Sequence, residues 1–185
     1  MIKKILSFVL IGLLFISCAE KEDPETIFGE YLPQSIIVDQ ALDLTGDGNV
    51  SENLLAQLES KGEYSGLTFL NLYSPEYFNV NFSQVILRLP HHFEFENKVY
   101  LEFYQNGRRV DKESNGTLTL TWNTYPYQFE FPEQIHEEIV IETLKTNLGN
   151  NYVELVTSQR LFDHSTNEWV EAKVTYTFRK DGPCC

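Results

Sequence analysis

Gly116-Thr117-Leu118-Thr119-Leu120-Thr121-Trp122 alternates without a break, with Leu118, Leu120 and Trp122 on one side and threonines on the other. A period of two is the signature of a strand with one dry and one wet face. The pattern recurs on both sides of this stretch. Val85, Leu87 and Leu89 alternate around Ile86 and Arg88, and Val99, Leu101 and Phe103 alternate with Tyr100, Glu102 and Tyr104. Tyr127, Phe129 and Phe131 alternate with Gln128 and Glu130, and Val174, Tyr176 and Phe178 with Lys173, Thr175, Thr177 and Arg179. Asn115-Gly116 is a hairpin signal, and residues 163–168 read as a polar turn between two long strands. No long run of helical period separates these segments, which argues against βαβ units. The expectation is a mainly β protein of about eight strands, either an antiparallel up-and-down barrel or a two-layer sandwich. Residues 27–185 read as a single domain, without internal repeats.

One short helix is expected ahead of the strands, over residues 52–60. Leu54, Leu55 and Leu58 fall on one face, Ser51 is the expected N-cap, and Gly62 stands where a helix ends in a left-handed residue.

The chain opens with Lys3 and Lys4, an apolar run from Ile5 to Ile16, then Ser17 and Cys18. A basic start, a short apolar core and a small residue are the parts of a secretory signal peptide. The run is shorter than the roughly 20 residues needed to span a bilayer. Ser17-Cys18 resembles the lipobox of bacterial lipoproteins. That resemblance implies removal of residues 1–17 and acylation of Cys18, so that the protein holds a membrane through a lipid anchor. Ala19-Glu20-Lys21-Glu22-Asp23-Pro24-Glu25 then reads as a charged, flexible tether, with residues 18–26 linking anchor and domain. Lys21-Glu22-Asp23 resembles the lysine-plus-two-acids signal of surface lipoproteins in Bacteroidota-type bacteria, which implies display on the outer membrane, at the cell surface.

The formal charge of −13 over 185 residues excludes a nucleic-acid binder built on basic runs. It also offers no electrostatic pull toward anionic lipid. Membrane attachment falls to the acyl chains, at about 0.8 kcal/mol per buried CH₂. Of the three cysteines, Cys184 and Cys185 are adjacent at the C-terminal end. They would close only a strained ring, pair with another chain, or be a silent frayed end.

Asp43 to Leu54 resembles an EF-hand or dockerin-type calcium loop. Such loops place oxygen ligands at positions 1, 3, 5, 7, 9 and 12 and glycine at 6. The resemblance puts Asp43, Thr45, Asp47, Asn49 and Ser51 at the first five ligand positions, with Gly48 at the sixth position and Val50 at the eighth. Position 12 departs from the pattern, being Leu54 in place of a bidentate acid, and Glu52 lies two residues early. A site so depleted should hold calcium weakly, as a structural clip. The competing reading is a plain turn at Asp47-Gly48. A loop of this kind ahead of a short helix and a β-domain looks like the small lipocalin-like lipoproteins of Bacteroidota.

No catalytic constellation stands out. His91-His92 would point to opposite strand faces, with Pro90 marking a loop; His136-Glu137-Glu138 lacks a second zinc-binding histidine, and His164 falls in a turn. Glu94 and Glu96 would share one strand face, unlike a glycosidase pair set across a sugar bond. Tyr73, Tyr77, Phe78 and Phe82 form one aromatic segment, and Trp122, Tyr125 and Tyr127 another, both expected chiefly in the core. The expectation is a non-enzymatic, envelope-anchored module binding a small apolar or glycan ligand. The alternative is an interaction subunit of an envelope complex, with no small ligand; hydrolysis of a polymer stands third.

Overall fold

The computed structural model describes residues 27–62, 69–77, 82–112, 117–122, 139–147 and 151–182. The signal peptide, Cys18 and its tether, Phe78, Asn115-Gly116, Tyr125, the strand expected at Tyr127 to Phe131, His136 and Cys184-Cys185 lie outside these residues.

Among the described residues, nine strands and one helix follow in chain order: β1 (Gly29–Leu42), β2 (Ser51–Asn53), α1 (Leu54–Ser60), β3 (Leu70–Tyr73), β4 (Ser83–Phe95), β5 (Lys98–Lys112), β6 (Leu118–Trp122), β7 (Ile139–Asn147), β8 (Tyr152–Asp163) and β9 (Glu168–Lys180). All pairings are antiparallel, in the order β6-β5-β4-β3-β1-β9-β8-β7, with β2 attached to β1. The chain therefore meanders round a wall and returns, so that β9 pairs with β1 from Tyr31↔Lys180 to Val38↔Val174. Among the described residues the two remaining edges, β6 and β7, are joined by one isolated bridge, Thr117↔Lys145. Of the two architectures expected, the nearly closed up-and-down barrel is the one formed.

Period-two alternation builds the core. Ala172, Val174, Tyr176 and Phe178 of β9 are buried, as are Val153, Leu155 and Leu161 of β8 and Val85, Leu87 and Leu89 of β4. Each large apolar side chain so buried contributes about 1.5–3 kcal/mol relative to exposure.

β3 is too short to cover β1. It pairs with Gly29 to Tyr31 only, and farther along β1 the edge is taken by β2, at Ile37↔Asn53 and Leu42↔Ser51. α1 packs beside β2 against β1 and buries Leu54, Leu55 and Leu58, the face expected from the sequence. Its N-cap is Asn53 and not Ser51: the Asn53 side chain accepts the Ala56 N–H at 3.1 Å, while Ser51 lies in β2. Gly62 closes the helix at φ +71°, its N–H donating to Glu59 O at 3.0 Å.

Two prolines sit inside strands, and among the described residues neither meets a ladder that needs its missing N–H. Pro33 lies at the β1 bulge between Pro33 and Ser35. Pro90 does not mark a loop; it lies within β4, opposite Phe103. Arg88 N–H reaches Phe69 O at 2.8 Å, and residues two apart in a strand direct their amides to the same side. The Pro90 nitrogen thus faces the flank where β3 has already ended. Nor do Glu94 and Glu96 share a strand face. Glu96 and Asn97 form the tight turn of the β4–β5 hairpin, with φ of +51° and +61°.

Candidate functional site

β1 delivers the chain into the loop of Asp43 to Asn49. Asp43 is buried, and its carboxylate organises the loop: Gly46 N–H donates to Oδ1 at 2.8 Å and Gly48 N–H to Oδ2 at 3.0 Å. Both glycines have positive φ, +68° and +83°, which lets their amides turn inward. Asp47 is exposed and accepts Asn49 N–H at 2.9 Å, a bond that holds its carboxyl below the usual range. Thr45 is buried; its hydroxyl lies beside Asp47 and helps lower that pKa, without completing a hydrogen bond. Ser51 Oγ is turned to accept Asn53 N–H at 3.1 Å, and its carbonyl accepts from Gln57 Nε2 at 3.1 Å. Leu54 packs its side chain into the core at 1% exposure and supplies no oxygen. Among the described residues no group of three or more His, Cys, Asp or Glu side chains is placed to hold a metal.

The loop is fastened from two sides. Buried Gln57 of α1 accepts Leu44 N–H at 2.9 Å and donates to Leu42 O at 2.9 Å. Across the barrel end, Asp163 Oδ1 accepts Asp43 N–H at 2.9 Å, and His164 N–H donates to Asp43 O at 2.9 Å. Asp163 also accepts the N–H and hydroxyl of Ser165 and the hydroxyl of Thr166. Burial alone would raise its pKa; these donors outweigh burial and hold it below the usual range.

His92 joins three elements here. Its Nε2 lies 2.9 Å from Leu44 O, and its Nδ1 is 3.3 Å from Phe162 N. A carbonyl can only accept and an amide only donate, so Nε2 carries the proton and Nδ1 is bare. Burial pushes the His92 pKa down to about 4, and the neutral ring satisfies both bonds. β4 and β8 are not neighbours in the sheet, yet they meet at this ring. Trp169 and His164 pack edge-on against it, Phe162 packs edge-on against both of them, and Arg160 stacks over Trp169 at 4.8 Å.

Inside the barrel, on the buried phase of β8, Thr157 and Gln159 interrupt an otherwise apolar row of Val153, Leu155 and Leu161. Gln159 Nε2 donates to the Tyr176 hydroxyl at 3.4 Å. Gln159 Oε1 is buried without a hydrogen-bond partner. So is Thr157 Oγ1, although it lies near enough to Tyr176 to bias that hydroxyl's ionisation. Burial raises the Tyr176 pKa strongly.

The aromatic segments are only partly core. Tyr77 is 68% exposed in the turn after β3, tilted against half-buried Tyr73. At the β4–β5 tip, Phe95 is 59% exposed, and Phe93 stacks on Tyr100 with ring centres 5.4 Å apart. No family model, no curated protein and no solved structure matches the chain.

The sequence reading missed Asp163, His92, Gln57, Thr157 and Gln159. The signals were faint but present. Asp163-x-Ser165-Thr166 is an aspartate followed by donors at turn spacing. Thr157 and Gln159 are polar residues on the apolar phase of a strand.

Proposed function

We propose that the protein is a lipid-anchored, surface-displayed module of the cell envelope whose barrel takes a small, largely apolar ligand. One observation carries this reading: Gln159 Oε1 and Thr157 Oγ1 are buried in the barrel with no protein partner. A buried polar atom left unpaired costs about 1–3 kcal/mol, which a bound molecule offsets by supplying the partner. The anchor and address follow from Ser17-Cys18 and Lys21-Glu22-Asp23. The test is solvent extraction and mass spectrometry of the mature chain purified without detergent, together with titration by an environment-sensitive apolar dye. A ligand in the extract, and dye fluorescence that it quenches, support the reading. An empty extract and no dye binding count against it. They would favour an interaction subunit, for which exposed Phe95 and Tyr100 are the contact residues.

Calcium at Asp43 to Asn49 is part of the same proposal. The buried, unpartnered Thr45 hydroxyl beside Asp47 supports it, and the buried side chain at Leu54 makes the site weak. Asp43, Thr45, Asp47 and the Asn49 carbonyl would hold the ion, which would act as a clip on the loop. Millimolar calcium should raise the thermal midpoint of the mature chain, and Asp47→Ala should abolish the rise. An equal midpoint in calcium and in chelator would leave the loop held by its protein hydrogen bonds, from Asp43, Gln57, His92, Asp163 and His164.

A further inference from the structure

Thr157, Gln159 and Tyr176 form a polar patch midway along the buried faces of β8 and β9, apart from Asp163 at the end of β8. Their neighbours in register are small or aliphatic. Gln159 stands opposite Ala172 on β9 and Ile139 on β7, and Thr157 opposite Val174 and Ile141. Farther along β9, Tyr176 and Phe178 are fully buried with their rings parallel, 5.8 Å apart. The patch is therefore one amide and two hydroxyls set in an apolar wall, beside a single alanine and the Phe178 ring.

We infer that this patch selects ligands that are neutral and present an O–H or N–H donor, with an apolar body, over ligands of equal size that are anionic or lack a donor. Gln159 Oε1 is an acceptor and nothing else, so the group it lacks is a donor. Thr157 Oγ1 accepts from such a group as well as donating to it. No cation lies on the buried faces of β7, β8 and β9 among the described residues, and buried Arg108 on β5, opposite Val85, is already engaged by a partner. Burial also raises the pKa of Tyr176, so the same surroundings disfavour an anion. Primary alcohols, sterols and monoacylglycerols fit this chemistry; free fatty acids in their ionised form do not.

This inference rests on the barrel being a binding module, and the experiment separates the two. A fluorescent apolar probe bound to the mature chain at pH 8 is displaced with 1-dodecanol, with dodecyl methyl ether and with dodecanoate. The alcohol should bind about tenfold more tightly than the ether, the worth of one buried hydrogen bond, with dodecanoate weakest. In Gln159→Leu and Thr157→Val the alcohol should lose that advantage while the ether binds as well or better. Equal binding of alcohol and ether to the unaltered chain overturns the inference and leaves the module reading standing; the patch would then serve buried water only. An alcohol preference that survives in both variants also overturns it. If the probe does not bind at all, both fall. The comparison on the unaltered chain needs no variant to fold.

Discussion

Asp163 takes the backbone N–H of Asp43 at 2.9 Å across 120 positions of sequence, and its neighbour His164 returns an N–H to the Asp43 carbonyl. Asp43 thus exchanges both backbone groups with the β8–β9 turn, as a strand residue would with a partner strand. Asp163→Ala strips the acceptor from two backbone amides and two hydroxyls, and should lower stability by about 3 kcal/mol in urea unfolding. Asp163→Asn keeps one acceptor and should cost less. Because the native pKa lies below the ordinary value of 3.8, this contribution is complete above pH about 4 and is lost as the pH falls through the depressed native value. Equal stability of Asp163→Ala and the parent at pH 7 would contradict this account of the turn.

His92 sets the acid limit from another direction. Its pKa is 6.5 when exposed and about 4 in the fold, so the unfolded chain takes up the proton first. The stabilisation is fully present above pH 6.5 and drains away as the pH falls toward 4, by about 3 kcal/mol in all. His91, lowered by burial, acts with the same sign, while Asp163 remains ionised over this window. Protonation also places an N–H on Nδ1 against the Phe162 amide. Unfolding free energies measured from pH 7 to 4.5 should therefore fall steeply in the parent and less steeply in His92→Gln. Identical slopes in the two proteins would exclude His92 as the titrating group.

Gly46 and Gly48 share a left-handed backbone but not their surroundings. A Cβ at Gly46 would meet the His164 ring at 3.3 Å, whereas one at Gly48 would meet nothing within 4 Å. Gly48→Ala should cost about 1 kcal/mol for φ alone. Gly46→Ala should cost about 2 kcal/mol, because the added methyl also pushes on the turn that holds Asp43. Thermal midpoints of the two variants should fall in that order, and the reverse order would mean that the loop does not dock on His164.

The β6–β7 seam should be the soft line in the wall. β8 and β9 pair in register from Tyr152↔Arg179 to Asp163↔Glu168, whereas among the described residues Thr117↔Lys145 is the one β-bridge joining the β6 and β7 edges. In native-state hydrogen exchange, amides of β7 directed away from β8 should exchange well before those of the β8–β9 ladder. Uniform protection across β7 would show a seam closed in solution.

The wall itself was legible, because alternation at Val85 to Leu89 and Val174 to Phe178 is imposed by a barrel with one buried face. The helix face was legible for the same reason at Leu54, Leu55 and Leu58. The end of the barrel was not. Pro90 reads as a breaker until it is known that β3 stops short of it, and Glu96 reads as a strand residue until its φ is seen to be positive. His92 and Asp163 act through partners 48 and 120 positions away, at Leu44 and Asp43, and no local pattern encodes such distances. In the calcium-like loop, the spacing showed the turn; that Leu54 is committed to the core became visible only with the helix in place.

The first and last strands and the weak seam of the described sheet fall in different places. β1 and β9 are bound side by side, with Asp181 N–H on Glu30 O and Tyr31 opposite Lys180, while the weak join lies between β6 and β7 in mid-sequence. In connectivity the described sheet is a ring cut at a strong joint and joined at a weak one. A circular permutant that links residue 182 to residue 27 and begins at Ile139 would keep each ladder from β7 round to β6. It would turn the described sheet into one meander in which the loosely joined pair, β7 and β6, are the first and last strands.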